Sequence, residues 1–136
     1  MIIGIGTDLC DIRRIERVLL RFEERFTNRI FDSSEREKAE RKHNPAYSYA
    51  QSFAAKEACA KALGTGFRKG VFWKDITIRN LETGQPYIKI KGGAFKRLQL
   101  LIPPGMEAQL DVSQSDEYPI AHAIVIISAN PIKPAQ

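Results

Sequence analysis

Three charged residues stand where they could bind a metal ion and a phosphate group. Asp8 follows the short β-branched segment Ile2 to Gly6, and Glu57 and Lys61 lie one helical turn apart in an alanine-rich stretch. Residues four apart on a helix project from the same face. Two carboxylates that converge in a partly apolar site repel each other unless a proton or a cation intervenes. Mg²⁺ suits such a pair, because it takes oxygen ligands, keeps several waters and completes its octahedron with substrate phosphates.

Each of these residues also has a simpler interpretation. Asp8 could cap or hydrogen-bond the helix that follows it. Glu57 could form an exposed ion pair with Lys61, which would contribute only about 0.3 to 0.5 kcal/mol. The segment Gly4-Ile5-Gly6 lacks the third glycine and the βαβ unit of a dinucleotide-binding loop. The metal interpretation therefore requires that Asp8 and Glu57 meet in the fold.

Two elements at the start of the chain are predicted to position Asp8. Ile2 to Gly6 has the composition of a buried strand that ends at Asp8, and a helix follows with Asp11 as its N-cap. Apolar residues recur in this helix at three- and four-residue steps, namely Ile12, Ile15, Leu19, Phe22 and Phe26. Four arginines form a second stripe beside the apolar one, namely Arg14, Arg17, Arg21 and Arg25. The first helix is therefore predicted to have a basic edge.

Glu57 and Lys61 are predicted to lie on the third helix. A capping box at Asp32-Ser33-Ser34-Glu35 opens a polar second helix. The third helix runs from about Ala46 to Leu63, and Gly64 ends it as a C-terminal cap. The many alanines of this helix let a neighbouring backbone approach closely around Glu57 and Lys61.

The second half of the chain changes to a period of two, which indicates antiparallel strands. The predicted elements are a hairpin of 75–79 and 87–91, a helix at 93–101, and a second hairpin of 108–113 and 120–128. The order βαααββαββ predicts an α+β fold. We expect one small domain, residues 1–129, followed by a flexible tail, residues 130–136.

Composition narrows the class of protein. The 136 residues suit one domain, and 43% hydrophobic residues exclude intrinsic disorder. The net charge of +5 favours an anionic partner without choosing among them. The longest apolar run is far shorter than the ~20 residues of a membrane-spanning helix, and the start lacks the pattern of a secretory signal. Cys10 and Cys59 lie among apolar neighbours, without metal or disulfide spacing, so we expect a cytoplasmic protein.

Several segments together resemble one enzyme family. They are Gly4-Ile-Gly-Thr-Asp8, Phe53-Ala-Ala-Lys-Glu57, Lys61-Ala-Leu-Gly-Thr-Gly66, Trp73-Lys-Asp-Ile76 and Gly84-Gln-Pro86. The chain is similar in them to the holo-[acyl-carrier-protein] synthases, the short bacterial class of 4'-phosphopantetheinyl transferases. The likeness extends from Ile2 to about Ile127. The long lysine- and glycine-containing stretch combined with the early Gly-x-Asp makes it specific.

The resemblance implies an activity and a set of site residues. Such enzymes transfer 4'-phosphopantetheine from coenzyme A to a serine of apo acyl carrier protein and release adenosine 3',5'-bisphosphate. The holo acyl carrier protein that results serves fatty acid biosynthesis. By this likeness the catalytic residues would be Asp8, Glu57 and Lys61. Asp8 and Glu57 would hold Mg²⁺, with Mn²⁺ as a substitute, and Lys61 would lie near the phosphates. The implied coenzyme A contacts are Lys61, Gly64, Thr65, Gly66 and Pro86, and the implied contacts with the acidic carrier protein are Arg14, Arg21 and Arg25. A homotrimer with sites between subunits is also implied.

Simpler roles stay open for several of these residues. Lys61 and the arginines could be solvated, 64–66 could be an ordinary helix-ending turn, and Pro86 could merely begin a strand. Many relatives have arginine at Ser52, so a phosphate contact would have to come from elsewhere, such as Arg68 or Lys69. Asp116 stands where many relatives have histidine, and we assign it no role in proton transfer. His43 and His122 are interpreted as structural.

Two other classes of protein compete with the enzyme. A basic nucleic-acid-binding domain would need aromatic residues interleaved on a basic strand or a helix-turn-helix, and the sequence has neither. A module that binds the carrier protein without catalysis would have no need of Asp8 and Glu57. Modification of a carrier protein would separate the three.

Overall fold

The computed structural model describes residues 1–134, with helices concentrated early in the chain and antiparallel strands late. The helices are α1 (Ile12–Phe22), α2 (Glu24–Ile30), α3 (Ser33–Glu40), α4 (Pro45–Ala62) and α5 (Gly92–Leu101). The strands are β1 (Ile2–Asp11), β2 (Ile76–Asn80), β3 (Pro86–Ile90), β4 (Met106–Glu117) and β5 (Ile120–Pro131). A 3₁₀ turn, Trp73–Asp75, precedes β2. The α+β prediction is confirmed.

The strands form two antiparallel sheets. The larger has the order β1-β5-β4, and the smaller pairs β2 with β3. In the larger sheet Gly6 is paired with Val125 and Asp8 with Ala123. Every second residue of β5 from Ala121 to Ala129 is buried, which defines the inner face of the sheet. Asp8, two residues beyond Gly6 on β1, lies on the same inner face of the sheet.

Helix α4 packs against the inner face at unusually short range. A methyl group added to Gly6 would lie 1.8 Å from the carbonyl oxygen of Ala58, and one added to Gly4 would lie 2.1 Å from that of Ala62. These glycines are therefore required by the close approach of β1 to the backbone of α4. The close approach of a neighbouring backbone around Glu57 and Lys61, which the alanines of this helix predict, is therefore present, and the backbone is that of β1.

The two predicted helix caps are present. The side chain of Asp11 accepts a hydrogen bond from the backbone of Arg13 at the start of α1. At α3, Asp32 and Glu35 form the reciprocal capping box. Both caps satisfy backbone N–H groups that the first helical turn leaves without partners.

Several predicted bounds differ from the structure. The first helix is broken at Glu23, whose φ of 52° ends α1, so Phe22 and Phe26 lie on separate helices. Strands β1, β4 and β5 are longer than predicted, because pairing with β5 continues beyond the apolar residues. Strand β5 includes Asn130 and Pro131, the first two residues of the predicted tail, and residues 135 and 136 lie outside the described part of the chain.

Among residues 1–134, no helix combines the length and apolar character needed to cross a membrane.

Candidate active site

Asp8 and Lys61 meet where β1 crosses α4. The ammonium of Lys61 lies 2.9 Å from Oδ1 of Asp8 and donates a second hydrogen bond of 2.9 Å to the carbonyl oxygen of Thr7. The Asp8 side chain is 18% exposed and that of Lys61 is 52% exposed, so the pair lies at the surface with the carboxylate on its inner side. Asp8 does not cap α1, because Asp11 does. Within residues 1–134, the ion pair of Lys61 is with Asp8 and not with Glu57.

Glu57 completes a group of two carboxylates and two cations. Burial raises the pKa of Glu57, and the negative charge of Asp8 raises it further, whereas Lys61 and Arg14 lower it. Lys61, one helical turn beyond Glu57 on α4, contacts Asp8 directly, so β1 lies against the face of α4 that carries Glu57. That Asp8 and Glu57 together bind an ion stays a prediction.

An open cavity of about 390 Å³ adjoins the pair. It is lined by Thr7, Asp8, Leu9, Lys61 and His122. Nε2 of His122 lies 2.8 Å from Oγ1 of Thr7, a contact between neighbouring strands. The cavity leaves room for a ligand next to Asp8 and Lys61.

The donor set fits Mg²⁺ bound together with a substrate. Among the described residues no cluster of three or more His, Cys, Asp or Glu side chains could hold an ion. Asp8 and Glu57 could supply two carboxylates to such an ion, whose further ligands would then come from water or substrate. Mg²⁺ is bound in this way in phosphate-transferring sites, where it keeps waters and takes oxygens from the substrate.

The end of α4 forms the predicted glycine turn. Gly64 and Gly66 have φ values of 82° and 61°, a region that L side chains rarely adopt. The N–H of Gly66 donates to the carbonyl oxygen of Ala60, and Oγ1 of Thr65 donates to that of Gly66. Apart from Gly66 and its two chain neighbours, no atom of residues 1–134 lies within 4 Å of where a side chain at Gly66 would begin. The turn ends the helix and also leaves an accessible stretch of backbone.

Of the other predicted residues, Pro86, Arg21 and Arg25 lie outside this group, whereas Arg14 belongs to it. Pro86 begins β3 opposite Asn80 in the smaller sheet and does not line the cavity beside Asp8. Arg14 lies over the ring of Phe53 at 5.5 Å, close to Glu57. Arg21 and Arg25 both lie over the ring of Phe22, at 5.1 and 5.7 Å. The basic edge therefore spans the break at Glu23: Arg21 of α1 and Arg25 of α2 lie over the same ring, and Arg14 lies apart from them over Phe53.

A second cavity of about 840 Å³ was missed by the sequence reasoning. Its basic residues come from the end of α3 and the loop after it, namely Lys38, Arg41, Lys42 and His43. Asn80 and Gly84 of the β2–β3 hairpin also line it. We call it the basic cavity. The run Arg41-Lys42-His43 before Asn44-Pro45 was the available indication, because a basic cluster between two helices often marks an anion site.

Two departures from the family pattern are placed by the structure. Ser52 is buried on α4. Gln51, which precedes Ser52 on α4, donates a hydrogen bond of 2.8 Å from Nε2 to Oδ1 of Asp116. Asp116 thus links the end of β4 to α4.

Lys56 was also missed, although it precedes Glu57 directly. Its side chain is fully buried and forms an ion pair of 2.9 Å with Glu35 of α3. The spacing could have revealed it, since Lys56 continues a buried stripe on α4 at three- and four-residue steps. The other members of this stripe are Tyr49, Ser52, Cys59 and Leu63.

The comparisons with known proteins agree with this geometry. A family model of the 4'-phosphopantetheinyl transferase superfamily matches residues 4–122. A holo-[acyl-carrier-protein] synthase of Methylorubrum populi is 58% identical over 132 residues, which cover 97% of both chains. The crystal structure of a holo-[acyl-carrier-protein] synthase from Neisseria meningitidis has a TM-score of 0.81 and 36% identity, covering 94% of this chain and 99% of that one. The corresponding enzyme of Helicobacter pylori, solved in complex with coenzyme A, has a TM-score of 0.77 and 31% identity, covering 91% and 99%. The chain therefore belongs to the 4'-phosphopantetheinyl transferase superfamily, among the holo-[acyl-carrier-protein] synthases.

Proposed function

We propose that the protein transfers 4'-phosphopantetheine from coenzyme A to a serine hydroxyl of apo acyl carrier protein in a Mg²⁺-dependent reaction. The observation that carries the proposal is the 2.9 Å contact of Asp8 on β1 with Lys61 on α4, one helical turn beyond Glu57. The names of the relatives support it, since one is called a holo-[acyl-carrier-protein] synthase and a neighbour was solved with coenzyme A. The products are holo acyl carrier protein and adenosine 3',5'-bisphosphate, and the reaction serves fatty acid biosynthesis.

Asp8 and Glu57 are the residues that would hold the ion. Mg²⁺ supplies neutralisation of the phosphate oxygens that gain charge as the pyrophosphate bond breaks. Burial raises the pKa of Glu57 and the charge of Asp8 raises it further, so a bound cation would stabilise both carboxylates in their ionised form.

Lys61 provides a mobile positive charge at the same place. Its ammonium is half-exposed and is held by Asp8 and the carbonyl of Thr7. A flexible lysine can turn from Asp8 toward a phosphate oxygen when the substrate binds. The accessible backbone of the turn from Gly64 to Gly66, one residue beyond the end of this lysine's helix, would approach the nucleotide closely.

The basic cavity suits the nucleotide end of coenzyme A, which carries a separate 3'-phosphate. Lys38, Arg41 and Lys42 in this cavity would supply the positive charge that an arginine in place of Ser52 supplies in many relatives. Gly84 lines this cavity, and Pro86, two residues later, would shape the wall for the pantetheine arm. Arg68 and Lys69, exposed after the glycine turn, are the alternative phosphate contacts.

The arginines of α1 and α2 suit an acidic carrier protein. Arg14, Arg21 and Arg25 are exposed, and each lies over an aromatic ring. Arg14 lies beside Glu57, so a carrier docked on this edge would present its serine near the carboxylates.

We further propose that the protein acts as a homotrimer in the cytoplasm. The outer face of the larger sheet exposes apolar side chains that an oligomer would cover, among them Ile5 at 56% and Leu9 at 65%. The cavity beside Asp8 includes Leu9, so this face adjoins the site. A neighbouring subunit would then complete a cleft that one small domain lacks. Both cysteines are buried free thiols, which suits a reducing compartment.

The test is the mass of the carrier protein. Purified protein, apo acyl carrier protein, coenzyme A and Mg²⁺ should give a carrier heavier by one phosphopantetheine, and a chelator should stop the reaction until Mg²⁺ or Mn²⁺ is restored. Asp8→Ala and Glu57→Ala should retain the fold and lose transfer. Asp111→Ala, an exposed acid on β4, is the matched control and should remain active. No mass gain with carrier binding retained would favour the non-catalytic module, and an active monomer in sedimentation would refute the trimer.

A further inference from the structure

Lys56 and Glu35 form an ion pair that is almost completely withdrawn from water. Their side chains are 0% and 1% exposed, and the distance from Nζ to Oε1 is 2.9 Å. The ammonium also donates to the carbonyl oxygens of Trp73, at 3.2 Å, and of Ile76. All three protons of the lysine therefore have acceptors.

The carboxylate of Glu35 is equally well bound. Oε1 accepts from the backbone N–H of Asp32, and Oε2 accepts from that of Ile78, both at 3.0 Å. The pair thus joins the start of α3, the middle of α4, the 3₁₀ turn and the start of β2. Stability alone is a weak reason for such a pair, because well-packed apolar residues usually replace a buried ion pair without loss.

What the pair fixes is the backbone that carries Trp73. The indole ring of Trp73 stacks on Phe67, with ring centres 3.7 Å apart, and on Phe53, with ring centres 5.1 Å apart. Arg14 lies over Phe53 at 5.5 Å. The three rings are half-buried, and we call them the aromatic row.

The aromatic row lies between the parts of the candidate site. Phe53 is one helical turn before Glu57 on α4, and Phe67 directly follows Gly66. Arg14, which faces Phe53, belongs to the edge assigned to the carrier protein. A change in the position of Trp73 would therefore displace the ring on which this arginine rests.

We propose that the Lys56–Glu35 pair is a positioning device for the acceptor: it holds Trp73, and through the aromatic row it orients Arg14 for the acidic carrier protein. The inference rests on the proposed function. Lys56 does not touch a substrate, so it acts through the position of other side chains. Loss of the pair should weaken productive binding of the carrier and leave the binding of coenzyme A unchanged.

The decisive variant is the double substitution Lys56→Met with Glu35→Gln, which removes both buried charges. Trp73 is the single tryptophan of the chain, so its fluorescence reports the row directly. We expect a shifted emission maximum, greater quenching by acrylamide, a KM for carrier protein raised about tenfold, and kcat and the KM for coenzyme A within about twofold of the wild type. Leu98→Ala, which removes buried volume on α5 outside the row, controls for destabilisation and should change neither the emission nor the carrier KM.

A double-mutant cycle separates positioning from general loosening. Trp73→Leu should raise the carrier KM by itself, and combining it with Lys56→Met/Glu35→Gln should add almost nothing, because both changes act through the same ring. If the charge-free variant does not fold, Glu35→Asp keeps both charges but shortens the reach of the carboxylate toward Lys56, and it should shift the emission in the same direction by less.

These measurements distinguish a pair that positions Arg14 from a pair that only stabilises the fold. Unchanged emission and carrier KM, equal effects on both substrates, additive effects in the cycle, or a loss confined to kcat would overturn the proposal. An inactive wild type would refute the proposed function instead, and the tryptophan emission would still show whether the pair positions the row.

Discussion

Substituting alanine for Gly6 tests whether the packing of β1 on α4 sets the position of the carboxylates. The added methyl group would lie 1.8 Å from the carbonyl oxygen of Ala58, whereas side-chain carbons essentially never come closer than 3.0 Å to such an atom. The backbones must therefore separate locally by at least about 1.2 Å, at a cost of about 1–3 kcal/mol in the free energy of unfolding. Asp8, two residues away on the same face, would move with β1 and lose its 2.9 Å contact with Lys61. A displacement of about 1 Å in a reacting geometry can cost ~10²-fold in rate.

The assay is carrier modification per folded molecule, with the folded fraction taken from urea unfolding of the same sample. Val125→Ala, which removes core volume opposite Gly6 without adding a clash, is the control for lost stability. Adding Ala58→Gly to the Gly6 variant should not restore activity, because the obstruction is a backbone oxygen and not the alanine side chain. Activity within about threefold of the wild type, or recovery by the second substitution, would refute the claim that this packing positions Asp8.

Three other results are expected. Lys61→Met frees Asp8, so Mn²⁺ measured by calorimetry without coenzyme A should bind more tightly while transfer falls, and an unchanged affinity would contradict this. Replacing Arg21 and Arg25 with Glu should raise the KM for carrier protein, leave the KM for coenzyme A unchanged and flatten the salt dependence of the reaction. The reason is that charges at the rim of an interface act mainly on the encounter rate. Equal effects on both KM values would show that these two arginines do not bind the carrier protein. Burial raises the pKa of Cys59 from 9.0 to about 12. The unfolded thiol ionises first, so stability should fall as the pH rises through this window, and Cys59→Ala should lack that contribution in urea titrations at successive pH values.

Local physical rules were enough to predict much of the fold. The caps at Asp11 and Asp32 use side chains that bond to neighbouring backbone, so their partners are close in sequence. The approach of β1 to α4 was also foreseeable in part, since only small residues allow it and both segments are rich in them. Strand ends were less predictable. Pairing in β4 and β5 continues through polar residues because the neighbouring strand supplies hydrogen bonds, whatever the apolar pattern does.

The unpredicted features depend on partners distant in the chain. The break at Glu23 interrupts an apolar period that continues through Phe26, and no glycine or proline marks it. Lys56 continues the buried spacing of α4, but that spacing does not show how a lysine can be buried there, which depends on Glu35 and the carbonyls of a later turn. A charged residue can occupy a core position only when the whole fold supplies its counter-ion and hydrogen bonds, which a local pattern does not contain.

The charges at the crossing of β1 and α4 explain why its geometry must be tight. Asp8 and Glu57 are offset by Lys61 and Arg14, so the group has little net charge before any ligand arrives. A divalent cation entering between the carboxylates would create an excess of positive charge unless an anion came with it. The phosphates of coenzyme A would supply that anion, and Lys61, displaced from Asp8, would be free to bind them. Cation and substrate should therefore favour each other's binding, and this coupling requires that strand and helix keep all four groups within a few ångströms.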